Sequence, residues 1–406
     1  MGILYLTFDG LTDPLGQSQV LPYLKALAAQ NYQITIISCE KPGKFKTGQA
    51  TILSIVNKAG IRWIPVPYSN RIPLLSGYLN TLRMRRKAFQ TARAGSFSLV
   101  HCRSYLSALI GLRLKHKLGL KFVFDMRGFW ADERIDGGIW RKTNLLHRLA
   151  YAFFKKKEKL FFSEADHIVS LTEAGKKEIA RIMTGLPCAP VTVIPCCADL
   201  DHFNPSSIEP QKKEKLKNQL GLLPEDLVLT YLGSLGTWYK TKEMLLFFKT
   251  MLHSFPQTKF LILTPDSPDA VYALATQTRV DPSRLIIRSA SRNDVPLYLS
   301  ITTLSVFFIQ PCYSKIASSP TKFAELLGMG IPVITNSGVG DMQALVEITG
   351  AGLCLKAFTA ADYEKAVSHI PKLLELNKTT LRTAALNYFS LPIGVSRYEA
   401  IYRSLL

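Results

Sequence analysis

Short runs of apolar residues alternate with longer stretches of helical hydrophobic spacing along almost the whole chain of 406 residues. The short runs are rich in Val, Ile, Leu and Phe, which is typical of strands buried on both faces of a parallel sheet. The longer stretches between them have the apolar period of helices that pack on such a sheet. The pattern therefore predicts an α/β protein built from repeated βαβ units.

Twelve runs predict strands in two series, separated by a polar segment at Asp199–Lys217. The first series is Ile3–Asp9, Gln33–Cys39, Ile61–Pro67, Leu99–Ser104, Lys121–Arg127, His167–Thr172 and Val191–Cys196. The second is Leu227–Gly233, Lys259–Pro265, Leu285–Ala290, Thr303–Gln310 and Ile331–Asn336. Two series and this chain length predict two Rossmann-like domains, at residues 1–200 and 201–385, that face each other across a ligand cleft.

Positive charge is concentrated in the first half of the chain. The formal net charge is +20, and residues 1–200 carry 29 Lys and Arg against 13 Asp and Glu. Between Lys41 and Phe124 there are 16 basic residues and no acidic one. Such a field attracts the phosphates of lipid headgroups, nucleic acids or substrates. Within it, Arg71–Phe89 fits either an interfacial helix at an anionic membrane or a solvated helix over the core.

The remaining composition predicts a cytoplasmic protein. The seven cysteines are scattered without a CxxC pair, which is typical of a reducing compartment. The sequence shows no signal peptide pattern and no apolar run of the ~18 residues that a membrane-spanning helix needs. We expect a cytoplasmic chain, with peripheral attachment to the inner face of the membrane as the open alternative.

The most specific local pattern is the segment Ser318–Ile334, SSPTKFAELLGMGIPVI. Ser319 is a favourable N-cap and Pro320 a favourable first helical residue, so a helix should begin here. Free backbone N–H groups at a helix start bind phosphate, and Lys322 adds a positive charge beside them. Glu325 shares the face of Lys322, where it could accept hydrogen bonds from ribose hydroxyls. An ordinary capped helix with a surface Lys and Glu is the alternative interpretation.

This segment resembles the nucleotide-binding helix of family 4 retaining glycosyltransferases. These enzymes have the GT-B fold of two Rossmann-like domains, and their last helix, here expected at residues 386–406, crosses back to brace the first domain. The resemblance implies that Glu325 holds the donor ribose and that Ser319, Thr321 and Lys322 lie at the donor phosphates. The family has another Glu eight positions earlier, which contacts the donor sugar, and this chain has Ala317 there.

Two segments of the second domain resemble the same family. The loop after its first strand contains Lys240, which matches the family's pyrophosphate-binding Lys, with Lys242 as the alternative. Ser234 replaces the Arg that the family usually has in this loop. Further along, Gly338 and Gly340 match the glycine loop that lies beneath the donor.

In the first domain, the loop Asp9–Gln19 resembles the family's glycine-containing loop, which approaches the donor phosphates and the acceptor. The resemblance implies that Gly16 and Gln17 contact the donor, although any strand-to-helix turn would use similar residues. The loop after the fifth strand contains Arg127, and the resemblance implies that this loop lies against the donor sugar and the acceptor. The family's His is absent from that loop, and His101 is the nearest replacement, although a lone His on a strand is more often a core residue.

The resemblance implies a hexosyltransferase-type enzyme of polysaccharide biosynthesis that moves a sugar from a nucleotide-sugar donor to a glycan or lipid-linked acceptor. Retention of configuration is expected, with no metal and no other cofactor, because in this family the leaving diphosphate takes the acceptor proton. We expect no nucleic-acid partner, since no RRM, KH or helix-turn-helix pattern is present. The alternatives are a non-enzymatic binder of nucleic acid or anionic surfaces, and a GT-B sugar-nucleotide epimerase or inverting transferase.

Overall fold

The computed structural model describes residues 1–70 and 75–406, which form two compact units. The first unit consists of Met1–Cys197, Ile316–Ser318 and Leu391–Leu406. The second consists of Ala198–Lys315 and Ser319–Ser390. Each unit is a parallel sheet covered by helices, so the predicted α/β class is confirmed.

Within the described residues, the sheet of the first unit has seven strands. They are β1 (Gly2–Thr7), β2 (Gln33–Glu40), β3 (Arg62–Pro67), β4 (Leu99–Arg103), β5 (Lys121–Asp125), β6 (His167–Ser170) and β7 (Val191–Val193). Their spatial order is β3-β2-β1-β4-β5-β6-β7, and all neighbours are parallel. The direction of winding reverses between β1 and β4, and open parallel sheets bind ligands beyond the carboxyl ends of their strands at such a point.

The helices of the first unit cover both faces of this sheet, which is why β1, β2 and β4 are buried along nearly their whole length. They are α1 (Pro14–Gln19), α2 (Leu21–Ala28), α3 (Pro42–Lys58), α4 (Leu75–Ala94), α5 (Ser104–Leu118), α6 (Trp130–Asp136), α7 (Leu145–Glu164) and α8 (Glu173–Ile182). The proposed interfacial segment, residues 71–89, overlaps α4 from Leu75 onward. Residues 71–74 lie outside the described part of the chain.

The second unit has the same design around six strands in the part of the chain that is described. The strands are β8 (Val228–Leu232), β9 (Lys259–Leu263), β10 (Leu285–Arg288), β11 (Leu304–Val306), β12 (Val333–Asn336) and β13 (Gly352–Leu355). Their order is β10-β9-β8-β11-β12-β13, so the winding reverses between β8 and β11. The helices are α9 (Pro210–Gln219), α10 (Thr241–Ser254), α11 (Asp269–Thr278), α12 (Val295–Ser300), α13 (Thr321–Gly328), α14 (Met342–Thr349), α15 (Ala360–Leu374) and α16 (Lys378–Phe389).

The C-terminal helix α17 (Leu391–Leu405) belongs to the first unit, as predicted. It packs along α2, where the Tyr398 ring lies edge-on to Tyr23 at 5.6 Å between ring centres. Tyr402 makes a similar contact with Tyr32 at 5.5 Å. Among the described helices, none combines the length and the apolar character needed to cross a bilayer.

Candidate functional site

Helix α13 begins one residue later than the sequence predicted. Its first residue is Thr321, and the extended Pro320 is its N-cap, so Ser319 lies before the cap instead of at it. Proline offers neither an N–H nor a side-chain acceptor, and no side-chain hydrogen bond closes this cap. Phe323 N donates to Pro320 O over 3.1 Å. The start of a helix favours an anion because its N–H groups and its dipole point to that end.

Lys322 points from α13 into an aromatic enclosure, and only 7% of the residue is exposed. Its Nζ lies 3.8 Å from the centre of the Tyr239 ring and 4.4 Å from that of Tyr231. Gly233 makes room for the ammonium group, because a Cβ at this position would lie 2.7 Å from Nζ. Aromatic faces attract cations, with roughly 0.5–2 kcal/mol for each favourable contact.

Burial lowers the pKa of Lys322 to about 7, with the charge of Glu325 opposing the shift. Among the described residues, no carboxylate lies within ion-pairing distance of its Nζ. A desolvated ammonium that faces aromatic rings and the Tyr231 hydroxyl, 3.4 Å away, is stabilised when an anion arrives. Lys322 therefore has the environment of an anion-binding group, which an exposed lysine does not.

Lys315 is a second buried lysine in this region, and the sequence pattern did not indicate it. It lies in a 3₁₀ turn, Tyr313–Ala317, and is 6% exposed. Its Nζ lies 3.7 Å from the centre of the Trp238 ring. Two consecutive aromatic residues after β8 thus cover Lys315 and Lys322. The only sequence signal is the seven-residue spacing of the two lysines, which is too common to single them out.

Hydrogen bonds hold the loop after β8 against the segment after β11. Tyr239 forms an antiparallel bridge with Ile309, and Gln310 N donates to Trp238 O over 2.8 Å. The side chain of Asn336 bonds both the N–H and the carbonyl of Ile309, which fixes the end of β12 to the same segment. The positions of the two lysines therefore depend on the backbone of three strand ends at the winding reversal.

Glu325 lies one turn beyond Lys322 and is 9% exposed. Burial raises its pKa, while the positive charges of Arg292 and Lys322 oppose that change. Arg292 Nη1 lies 3.7 Å from Glu325 Oε1, and its guanidinium carbon lies 5.6 Å from the centre of the Phe203 ring. Arg292 was not predicted, because it lies in the loop after β10, 33 residues before its partner.

Lys240 occupies the N-cap position of α10, beside the aromatic pair. Its Nζ lies 3.9 Å from Glu243 Oε1 and 5.6 Å from the centre of the Phe358 ring. Its neighbour Tyr239, and not Lys240 itself, contacts Lys322. Lys242, the alternative in the sequence, is exposed in the first turn of α10.

The predicted glycine loop follows β12 and contains two left-handed residues, Gly338 with φ 78° and Gly340 with φ 46°. Gly340 N donates to Lys315 O over 2.8 Å, so the loop is attached to the turn that carries the second buried lysine. A Cβ at Gly338 would lie 2.9 Å from the Cβ of Pro311. Both glycines are thus required by the backbone, and the loop lies directly beside the turn that carries Lys315.

In the first unit, the buried Glu40 at the end of β2 organises the loop after β1. Its carboxylate accepts hydrogen bonds from Leu11 N at 2.7 Å and from the N and hydroxyl of Thr12 at 3.2 and 2.6 Å. Gly16 packs on the same loop, because a Cβ there would lie 2.1 Å from Gly10 O. This close contact explains the glycine without a ligand. Gln17 is exposed, and its Nε2 donates to Thr12 O over 3.3 Å.

Four charged side chains meet at the carboxyl ends of β1, β4 and β5. Arg103 donates from Nε to Asp9 Oδ2 over 2.8 Å, and Arg127 Nη1 lies 3.7 Å from Asp125 Oδ1. Burial disfavours the charged forms of both Asp125 and Arg127. Arg127 nevertheless lowers the pKa of Asp125, and Asp125 raises that of Arg127. Arg127 also has the left-handed φ of 59°, an uncommon conformation for a residue with a side chain and one associated with functional sites.

His101 lies behind this cluster and is only 2% exposed. Its Nδ1 is 2.7 Å from the Tyr402 hydroxyl on α17, and its Nε2 is 3.6 Å from Asp125 Oδ2. Burial lowers its pKa, which favours the neutral ring. In this position His101 can influence a substrate only through Asp125, so we regard it as a positioning residue.

Ala317, which stands where the resembled family has its first Glu, is fully buried. A Cβ at Gly175 would lie 2.9 Å from the Ala317 Cβ, and a Cβ at Gly128 would lie 3.8 Å from the Ala317 carbonyl oxygen. Thr172 donates to the carbonyl of the preceding Ile316 over 2.8 Å. The segment is thus packed tightly at this point, and a longer side chain in place of Ala317 would need this packing to change.

Comparison with known proteins gives a family and a fold. Residues 17–202 match the model of Glycosyltransferase Family 4. No curated protein sequence matches the chain. Among solved structures, sucrose-phosphate synthase from Thermosynechococcus elongatus has a TM-score of 0.76 at 15% identity, over 100% of this chain and 99% of that one. A glycosyltransferase from Rickettsia africae has a TM-score of 0.70 at 15% identity, over 100% and 98%. HepE from Anabaena has 0.72 at 13% identity, over 99% of both chains.

The fold therefore defines a GT-B protein, and the family match defines the class of enzyme as a glycosyltransferase. The Glycosyltransferase Family 4 model matches residues 17–202, which is most of the first unit. The resemblance noted in the sequence is confirmed at this level.

Proposed function

We propose that the chain transfers a hexose from a nucleoside-diphosphate sugar, and that the donor diphosphate binds at the start of α13. The observation that carries this proposal is the Lys322 ammonium, which is buried among aromatic rings without a carboxylate partner among the described residues. Lys315 adds a second positive charge beneath the neighbouring Trp238. Two cations and the N-terminus of a helix suit the two phosphates of such a donor.

The same groups would stabilise the leaving group. Negative charge grows on the terminal phosphate as the sugar departs, and fixed cations in a dry site stabilise that charge without reorganising. We propose that the departing phosphate also accepts the acceptor proton, which gives retention of configuration. The anomeric configuration of the product tests this point, and an inverted product would contradict it.

Glu325 is the proposed partner of the donor ribose, and Arg292 holds its carboxylate in place at 3.7 Å. HepE from Anabaena has been solved in complex with UDP and glucose, which makes UDP the first nucleotide to test here. The acceptor, a glycan or a lipid-linked sugar, is proposed to bind at the first unit, near Asp9, Arg103 and Arg127.

The proposed reaction needs no metal, because Lys315 and Lys322 supply the charge that a divalent cation would otherwise bring. The described residues contain no group of three or more His, Cys, Asp or Glu side chains arranged to hold a metal ion. Transfer should persist in excess EDTA after dialysis. Loss of activity that only added Mg²⁺ or Mn²⁺ restores would contradict this part of the proposal.

We further propose that the enzyme works in the cytoplasm on the inner face of the membrane, in polysaccharide biosynthesis. Support comes from the first half of α7, which exposes Leu145, Leu146, Leu149 and Phe153, and from the arginines of the basic helix α4, which like α7 packs on α5. Apolar side chains flanked by cations suit an anionic lipid surface. Failure to sediment with phosphatidylglycerol vesicles at low salt would contradict membrane contact.

A thermal-shift screen against UDP, GDP, ADP and dTDP tests the transferase proposal, because a ligand that binds only the folded state raises the melting temperature. One nucleotide should stand out, and its sugar conjugates should then support transfer. No shift with any nucleotide would contradict the proposal. A shift accompanied by epimerised donor and no transfer would favour the sugar-nucleotide epimerase.

A further inference from the structure

The first unit contains an apolar cavity of about 620 Å³ that the donor-site account does not use. This volume is within the range of about 300–1,000 Å³ for sites that bind small molecules. Helices α4, α5 and α7 supply most of its wall. The aromatic lining includes Tyr68, Tyr78, Trp130, Trp140, Phe153 and Phe154.

The inner wall of the cavity reaches the carboxyl edge of the sheet. Phe8 follows β1, Tyr68 follows β3 and Trp130 begins α6 shortly after β5, and all three line it. Asp9 and Arg127, which belong to the charged cluster at this edge, are near neighbours of these residues in the chain. A molecule in the cavity would therefore extend towards the place proposed for the acceptor.

The outer end of the cavity is surrounded by exposed apolar side chains. Tyr78, Ile139 and Phe153 belong to the lining and are between 47% and 62% exposed. Leu145, Leu146 and Leu149, earlier on α7, are exposed as well. Exposed apolar side chains beside an apolar cavity are typical of a site for an apolar ligand.

The charged residues of the lining are all positive: Arg85, Arg113, Arg134 and Lys157. No carboxylate is found among the described residues that line the cavity. The guanidinium carbon of Arg134 lies 4.6 Å from the centre of the Trp130 ring, and burial lowers its pKa. A partly desolvated guanidinium remains charged in a protein and is stabilised by an anionic group. The lining thus combines a hydrocarbon surface with anion-binding groups.

We propose that this cavity binds the hydrocarbon chain of a phosphate-bearing lipid, with its phosphate at the arginines of the lining, and that this lipid carries the acceptor. That the lipid is an acceptor rests on the proposed glycosyl transfer, whereas the binding of a lipid in the cavity does not. The apolar volume selects a chain, and the uniformly positive lining selects an anionic head group. Of the two proposed acceptor classes, a glycan or a lipid-linked sugar, the cavity therefore favours the lipid-linked sugar.

Calorimetric titration of the full chain with hexyl, octyl and decyl phosphate, each below its critical micelle concentration, tests the proposal. Affinity should rise with chain length by up to about fourfold for each methylene, which corresponds to ~0.8 kcal/mol per buried CH₂. Inorganic phosphate should bind far more weakly. Equal affinity for all chain lengths would overturn the proposal.

Gly77 on α4 offers a matched pair of variants. It lines the cavity, and a Cβ there meets nothing within 4 Å, so a side chain can enter the open space without disturbing the fold. Gly77→Trp should weaken decyl phosphate binding at least tenfold by filling the cavity. Gly77→Ala, which has the same helical backbone and adds only a methyl group, should stay within about twofold of the wild type. Equal binding by the two variants would contradict occupancy of this cavity.

The head-group contact has its own control. Arg113→Gln should weaken decyl phosphate binding several-fold and leave decanol binding unchanged, because only the phosphate carries charge. Lys58→Gln, on α3 and outside the lining, makes the same change of net charge and should have no effect. An equal loss in both variants would show attraction by the general positive field, and would overturn the specific contact.

Failure of this inference can be distinguished from failure of the transferase proposal. The thermal shift with the preferred nucleoside diphosphate should be the same in wild type, Gly77→Ala and Gly77→Trp, since the donor residues lie in the second unit. A nucleotide shift without alkyl phosphate binding would overturn the lipid cavity alone. Alkyl phosphate binding without any nucleotide shift would overturn the transferase and leave the cavity assignment intact.

Discussion

The ammonium of Lys322 lies 3.8 Å from the centre of the Tyr239 ring, although the two residues are 83 positions apart in the chain. The contact joins the first helical turn of α13 to the loop after β8, at the point where the winding of the second sheet reverses. Burial of this lysine lowers its pKa to about 7, and the charge of Glu325 opposes the shift. The proposed donor site therefore contains a cation that is charged or neutral depending on small changes in its surroundings.

The affinity for a nucleoside diphosphate should depend on the protonation of Lys322. The group is positively charged below its pKa of about 7 and loses its charge as the pH rises through that value. Because a bound phosphate raises the pKa of a neighbouring ammonium, affinity should fall by up to about tenfold per pH unit between pH 7.5 and 9. Titration calorimetry over this range measures the effect.

Lys322→Arg provides the control for that profile, because a guanidinium stays charged throughout the range. Its affinity should be nearly independent of pH between 7.5 and 9, whatever its absolute value. A wild-type profile as flat as that of the arginine variant would remove Lys322 from the donor site.

Gly233→Ala should displace the Lys322 ammonium. The new Cβ would lie 2.7 Å from Nζ, and the φ of 131° at Gly233 disfavours any side chain. We expect at least a tenfold loss of nucleotide affinity. Gly236→Ala in the same loop meets nothing within 4 Å and should bind normally. Equal affinities in the two variants would show that the aromatic enclosure is not part of the site.

Glu325→Ala should raise the donor KM more than it lowers kcat, because ribose contacts are present in both the ground state and the transition state. The variant also leaves Arg292 without its carboxylate partner. If Arg292 acts by holding Glu325 in place, the Arg292→Gln variant should show part of the increase in donor KM that is expected for Glu325→Ala. Unchanged donor affinity in Glu325→Ala would contradict the ribose assignment.

Tyr402→Phe tests the positioning role of His101. The change removes the hydroxyl 2.7 Å from His101 Nδ1 within a buried site, and the loss of one such hydrogen bond costs about 1–2 kcal/mol of the free energy of unfolding. Nucleotide binding in the second unit should be unaffected. A drop in kcat measured on fully folded protein would support the positioning role, and an unchanged kcat would contradict it.

The overall fold could be predicted because it depends on periodic patterns that are local in the chain. All twelve predicted strands are present, since each is a compact apolar run between helices of clear period. Strand β13 was missed because it has four residues, of which three are only half-buried, so its apolar signal is weak. The segment Asp199–Lys217 was predicted to be a polar linker, yet Arg382 fixes its first residues by donating to Leu200 O and Phe203 O over 2.8 and 2.6 Å.

The proposed donor site could be predicted only in part. The α13 motif indicated Lys322 and Glu325 because helix start, cation and acid lie within seven residues. Trp238 and Lys315 could not be found in this way, because their contact depends on two loops that meet only once β8 and β11 are neighbours. The burial of His101 likewise depends on α17, which lies three hundred residues further along the chain.

The central claim is that Lys322 holds the donor diphosphate, and calorimetric titration of the wild type and Lys322→Ala at pH 6.5 tests it most directly. The titrant is the nucleoside diphosphate that gives the largest thermal shift, and Lys365→Ala, an exposed lysine on α15, is the control. The loss of a charged hydrogen-bonding partner should cost about 1.5–3 kcal/mol of binding, or roughly 10–100-fold in Kd, in Lys322→Ala alone. Equal Kd values for the wild type and both variants would contradict the account.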